Sequence, residues 1–166
     1  MFAALILMCF FAFGSITASS IDKKYNNQSE IIEDMLEYMF SCMDKLKINP
    51  EICSDLIMKN KDHSDKKYDN CKCFGPCIAK EIGTMDPETG KWNWAKLKEM
   101  SNLLTDQTLI NEAKNMEAHC FDETNTHCEA GYAMLKCALE NSQMTKDMVK
   151  SYVATKEESE KNQGDE

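Results

Sequence analysis

The sequence contains no arginine; all nineteen basic residues are lysine. Arginine is the side chain suited to bidentate contacts with phosphate and guanine. Its absence, with a formal net charge of -9, argues against nucleic acid and anionic membranes as partners. The first twenty residues carry no charged side chain. Their apolar run, Phe2 to Phe13, is too short to span a bilayer, and no later run approaches that length. Small residues follow it, Ser15 to Ser20, with cleavage expected after Ala18 or Ser20. Residues 1–20 therefore read as a cleaved secretory signal, and the remaining chain as a secreted, extracellular protein without membrane insertion. Catalytic patterns are missing too. There is no Gly-x-Ser-x-Gly, no His-Glu-x-x-His and no calcium loop, and neither His119 nor His127 stands next to an Asp. The chain reads as a non-enzyme needing no cofactor and no metal.

What is present is cysteine. Of nine, Cys9 leaves with the signal and eight remain. An even number in an oxidising compartment makes four disulfides the default. A zinc site at Cys71, Cys73 and Cys77 is the competing reading, but the spacing matches no zinc pattern.

No stretch alternates with period two, whereas helical periodicity is widespread. Asn27 stands as an N-cap with Glu30 as its capping-box partner. It also heads the sequon Asn27-Gln28-Ser29 and so is a candidate glycosylation site. From Glu30 to Leu46 the apolar residues form an i, i+4, i+8 stripe that includes Ile32, Met35, Leu36, Met39 and Phe40. Asn49-Pro50 opens a short second helix, and Lys59 to Asn70 reads as a polar loop. A third helix ends at Gly83, and Pro76 leaves two starts open for it, near Cys71 or at Pro76 itself. Turn signals fill Met85 to Asn93. Further helices are expected from Asn93 to Leu104, from Thr105 or Asp106 to Phe121, and from Asn125 to Leu139. Met144, Met148 and Tyr152 suggest another turn or two before a polar, disordered end. The chain thus divides into a signal (1–20), a helical domain (21–142) and a C-terminal extension (143–166). The fold class is all-α, a compact bundle of five to seven short helices cross-linked by three to four disulfides.

Geometry excludes some bonds. On one helix, Cys73 and Cys77 share a face one turn apart, with Cβ atoms about 5–6 Å apart. A disulfide wants about 3.5–4.5 Å. Cys128 and Cys137 are too far apart along a helix rising about 1.5 Å per residue. Each of these four must reach another element.

The cysteine spacing resembles that of the insect odorant-binding proteins, the pheromone and general odorant-binding family. Cys73 and Cys77 enclose three residues and Cys128 and Cys137 enclose eight, while Cys42 and Cys120 suit the first and fourth positions. The resemblance covers about residues 25 to 142. It implies the pairs Cys42 with Cys77, Cys73 with Cys128, and Cys120 with Cys137. Cys53 and Cys71 are left over as natural partners for a fourth bond, worth about 3 kcal/mol if unstrained. The alternative register, with Cys71 in the second position and Cys73 bonded to Cys53, stays open.

The function implied is carriage of a small hydrophobic molecule, an odorant or pheromone, in an apolar cavity through extracellular fluid. A chemoreceptor and a second copy of the chain are further expected partners. The alternative is a non-olfactory interaction or signalling protein acting through its surface or as a dimer. The residues chosen for the ligand pocket are Met39, Leu56, Leu103, Leu109, Ala113, Met116, Met134 and Leu135. For Met35, Met39, Met100, Met116 and Met134, core filling competes with lining. Tyr38, Tyr132 and Tyr152 are candidate orienting groups, and Trp92 or Trp94 could stack on a ligand or gate it. His119 and His127 are candidates for ligand release on acidification, set against an exposed role with no function.

Overall fold

The computed structural model describes residues 23–57 and 62–151. The elements are α1 (Gln28–Lys45), α2 (Pro50–Ser54), α3 (Asp69–Glu81), α4 (Trp94–Ser101), α5 (Gln107–His119) and α6 (His127–Asn141). Two 3₁₀ turns, Asp55–Ile57 and Lys66–Tyr68, flank the α2–α3 connection. Residues 143–151 are also helical. The expected signal, residues 1–20, lies outside the described residues, as do Tyr152 and the polar end. Among the described residues no helix is long and apolar enough to cross a membrane.

Side-chain caps fix most of the helix starts. Asn27 accepts from Glu30 N (3.1 Å), and the Glu30 carboxylate accepts in return from Asn26 N (3.0 Å). Asn49 accepts from Glu51 N and Ile52 N, with Pro50 in the first turn. Asn93 caps α4 and Asp106 caps α5. Each carboxylate or amide oxygen satisfies an N–H that the helix cannot.

Four disulfides hold these short helices together. They join Cys42 to Cys77, Cys53 to Cys71, Cys73 to Cys128, and Cys120 to Cys137. α3 is thereby tied to α1 by Cys77 and to α6 by Cys73. α6 is tied a second time, through Cys137, to the end of α5. Cys71 bonds Cys53 rather than taking the second-position role, which closes the register left open by the sequence.

The third helix takes the earlier of the two starts, two residues before Cys71, and not the start at Pro76. It begins at Asp69 and carries Pro76 in its interior. Proline has no N–H, so the Lys72 carbonyl loses its helical partner there. Gly131 of α6 fits against this spot. The Lys59–Asn70 loop is correspondingly shorter than expected, and Tyr68 within it is buried, its hydroxyl donating to Asp55 Oδ2 (2.9 Å). Met85 to Asn93 folds into a small turn closed by an antiparallel bridge between Met85 and Trp92.

α1 also differs from a helix that buries its apolar stripe. Ile31 and Cys42 are buried, but Phe40 is 65% exposed and Leu36 49%. In their place Asp34 is buried, gripped by Lys23 Nζ and by the Tyr25 hydroxyl, which donates at 3.0 Å. Burial, reinforced by this bond to Asp34, raises the Tyr25 pKa above the ordinary value. The buried Lys96 reaches across to the Lys23 carbonyl (2.9 Å), so the segment before α1 is pinned from two sides. The apolar core is divided in two. Tyr25, Ile31, Ile82 and Met100 form one cluster, packed by Tyr38 and Leu103, and Ala79, Met85 and Ala130 form the other, packed by Trp92.

Candidate functional site: an apolar cavity between the core clusters

A domain of short helices can leave space unfilled when covalent bonds replace part of its packing. Here a cavity of about 470 Å³ lies against both core clusters, within the ~300–1,000 Å³ common to small-molecule pockets. α3 supplies Ile78 and Ala79, and its C-cap Ile82 stands one turn beyond Ile78, on the face away from Cys73 and Cys77. α4 supplies Trp94, Leu97 and Met100, and α5 supplies Ala113 and Met116. Met35 of α1, Met134 of α6, Trp92 and Phe121 complete the apolar wall.

Phe121 reaches the cavity because of how α5 ends. The helix stops at His119, and Cys120, bonded to Cys137, turns the chain. Phe121 is thereby set against Trp94, with ring centroids 4.8 Å apart, and Trp94 lies 6.5 Å from Trp92. Three aromatic rings therefore form one continuous side of the wall. Polar groups in the lining are few. Lys98 of α4 pairs with Glu117 of α5 (3.4 Å), joining the two helices. Thr84 and Ser101 spend their hydroxyls on the Ala79 and Lys98 carbonyls.

Of the eight residues chosen from sequence, the structure brings Ala113, Met116 and Met134 into the lining; the other five lie outside it. Helix geometry accounts for most of these. Met134 and Leu135 are adjacent on α6, so they project about 100° apart and one direction serves the cavity. Met39 and Leu109 stand one turn, about 6 Å, from Met35 and Ala113, beyond the ends of the space. Leu103 packs on the Tyr25 cluster, and Leu56 is buried in the turn after α2. The lining also takes in Met35 and Met100, for which core filling competed with lining, and Met100 serves both, since it belongs to the Tyr25 cluster as well. The spacing of Ile78 and Ile82 was a usable signal, being one turn apart on a single face.

The orienting candidates separate in space. Trp92 and Trp94 line the cavity, whereas Tyr38 belongs to the neighbouring core cluster. Tyr132 faces the α2–α3 connection instead. Its hydroxyl meets His63 Nδ1 (2.7 Å), while His63 Nε2 meets the Asp55 carbonyl (3.0 Å). That carbonyl can only accept, so Nε2 holds a proton. Burial raises the Tyr132 pKa, with Glu129 adding to it. His119 and His127 are exposed and outside the lining; His119 donates to the Asn115 carbonyl, and Lys80 donates to His127. Among the described residues no group of His, Cys, Asp and Glu is placed to hold a metal ion. Cys71, Cys73 and Cys77 are all in disulfides.

An all-helical domain framed by four disulfides around an apolar cavity defines a class of small binding proteins. Residues 24–141 match the model of the PBP/GOBP family, and the chain belongs to that family, the insect odorant- and pheromone-binding proteins. This is a family of small binding and carrier proteins. No curated protein matches the sequence.

Proposed function

We propose that this protein is a secreted carrier that takes up a small hydrophobic molecule in its cavity and moves it through extracellular fluid. One observation carries the reading, namely a space of about 470 Å³ walled almost entirely by apolar side chains. Emptying such a space of protein atoms costs stability, and the disulfides offset that cost by fixing the helices to one another around it. Secretion agrees with four disulfides and with an apolar, uncharged N-terminus. The test is uptake of the fluorescent probe phenylnaphthylamine by the purified, oxidised protein, followed by displacement with volatiles and fatty acids. Saturable uptake with displacement is the expected result, and no uptake overturns the reading.

A second reading, action through the surface or as a dimer, draws on the exposed row Ile32, Leu36 and Phe40 of α1. Its measurement is oligomeric state by analytical ultracentrifugation. A dimer lost on Phe40→Lys, with no probe uptake, would favour it over carriage.

A further inference from the structure

One wall of the cavity has no covalent tie. No cysteine stands between Cys77 and Cys120, so none of the four disulfides reaches α4. By contrast α1, α3 and α6 are each bonded to a neighbour, and α5 ends on the bonded Cys120. α4 is held at its ends and along one edge. Before it, Asn93 N donates to the Thr84 carbonyl (2.8 Å). After it, Thr105 N and Asp106 N donate to Gln28 Oε1 (2.7 and 3.1 Å). Along it, Lys96 and Met100 are buried one turn apart, Lys96 Nζ donating to the Lys23 carbonyl and Met100 packing with Tyr25. At about 100° per residue, Trp94 and Lys98 lie on the opposite side of the helix. That second edge meets α5 through the Lys98–Glu117 ion pair, and Phe121 just beyond α5 through its ring contact with Trp94.

The second edge is weakly closed. The Lys98 and Glu117 side chains are 66% and 54% exposed, and an ion pair in water adds little to stability. The Trp94 indole N–H makes no hydrogen bond, so its ring is held by packing alone, and Phe121 beside it is exposed. Lys98, Glu117 and Phe121 all reach solvent and all line the cavity, so the cavity wall meets solvent along this seam. The other exposed lining residues, Met35 and Gly75, stand on α1 and α3, which Cys42–Cys77 joins. We propose that α4 is the door of the cavity. It turns about its Lys96–Met100 edge and parts from α5 along its Trp94–Lys98 edge to pass the ligand, with Lys98–Glu117 as the latch. This motion breaks no disulfide and leaves the anchored ends of α4 in place. The inference rests on the carrier reading and adds the route by which the ligand enters and leaves.

Stopped-flow mixing with phenylnaphthylamine reads uptake, and dilution of the loaded protein reads release. Lys98→Glu and Glu117→Lys each place like charges across the seam. Each should speed uptake and release alike by about two- to fivefold, the worth of an exposed ion pair, with Kd unchanged within about twofold. Combining the two substitutions restores opposite charges and should return both rates to native values. The control is Lys45→Glu. Lys45 pairs with Glu81 at 3.1 Å and is also exposed, but that pair lies between α1 and α3, which Cys42–Cys77 already joins. Its rates should match those of the native protein. Native rates in both single variants, equal acceleration in Lys45→Glu, or no recovery in the combined variant overturns the proposal. Release that speeds without uptake, weakening Kd, overturns it too, since the pair would then hold the ligand and not the door. If the native protein takes up no probe, the carrier reading falls and this inference falls with it; uptake with unchanged rates sinks this inference alone.

Discussion

Gly131 of α6 lies directly against Pro76 of α3. A Cβ at position 131 would stand 2.2 Å from Pro76 Cδ and 2.8 Å from the Lys72 carbonyl oxygen. The proline ring and the carbonyl it deprives of a partner thus face the one position of α6 that has no side chain. The Cys73–Cys128 bond, with Cα atoms 4.2 Å apart, fixes the same approach one turn away. Gly131→Ala would gain about 1 kcal/mol from helix propensity alone. Here the clash should dominate, for a net loss of about 1–3 kcal/mol. Urea unfolding of the oxidised protein measures it. Adding Pro76→Ala should restore part of the loss, because it removes the ring and returns the Lys72 carbonyl its helical donor.

The two roles of Asn27 can be separated by substitution. Its Oδ1 caps α1 by accepting from Glu30 N, and its Nδ2, the atom a glycan would occupy, donates to Glu30 Oε1 at 3.0 Å. Glycosylation would leave the oxygen free to cap. Asn27→Asp should keep the cap and abolish any glycan. Asn27→Ala should lose both and cost about 0.5–2 kcal/mol. Intact mass from a glycosylating host reads the first effect, and thermal unfolding reads the second.

Glu112 of α5 holds the start of the helix at residues 143–151. Its Oε1 accepts from Met144 N at 3.0 Å, and Ser142 Oγ accepts from Thr145 N at 3.0 Å. The Met144 N–H is the first cause that lowers the Glu112 pKa below its ordinary 4.5. A carboxyl depressed by folding contributes stability that is complete above its unfolded value and is lost as pH falls through the folded one. Amide exchange protection at Met144 should therefore be constant at neutral pH and decline below about pH 4.5. Glu112→Gln keeps an acceptor oxygen but has no titrating group, so its protection at Met144 should not change over this pH range. A decline centred on pH 6 would assign the loss to a histidine instead.

The helices were legible because their signals are local. Asn27, Asn49, Asn93 and Asp106 announce helix starts by side-chain chemistry that needs no tertiary context. The exclusion of Cys73–Cys77 and Cys128–Cys137 bonds needed only helix geometry. Two things were not legible. Pro76 looks like a helix start, because its accommodation depends on Gly131, fifty-five residues away. The α1 stripe looks like a core face, because the burial of Asp34 depends on Lys23 and Tyr25 folding back over it. The cavity falls between these cases. Periodicity marks apolar residues, but it does not say which turn of a helix meets protein and which meets space. Ala113 and Leu109 carry the same signal one turn apart.

That pair gives the most direct test of the cavity. Ala113 lines it and Leu109 does not, though both are half-buried on α5. A large side chain at 113 can enter the unfilled space, so the usual cost of overpacking should be small there. Ala113→Phe should therefore leave the unfolding midpoint within about 1 kcal/mol of the native protein and even raise it, since filling a void restores lost contacts. The same substitution should reduce phenylnaphthylamine uptake at least tenfold by occupying the ligand's volume. Leu109→Phe should do the reverse, costing some stability while leaving uptake nearly unchanged. If both variants lose uptake equally, the probe binds elsewhere on α5 and the cavity is not the site.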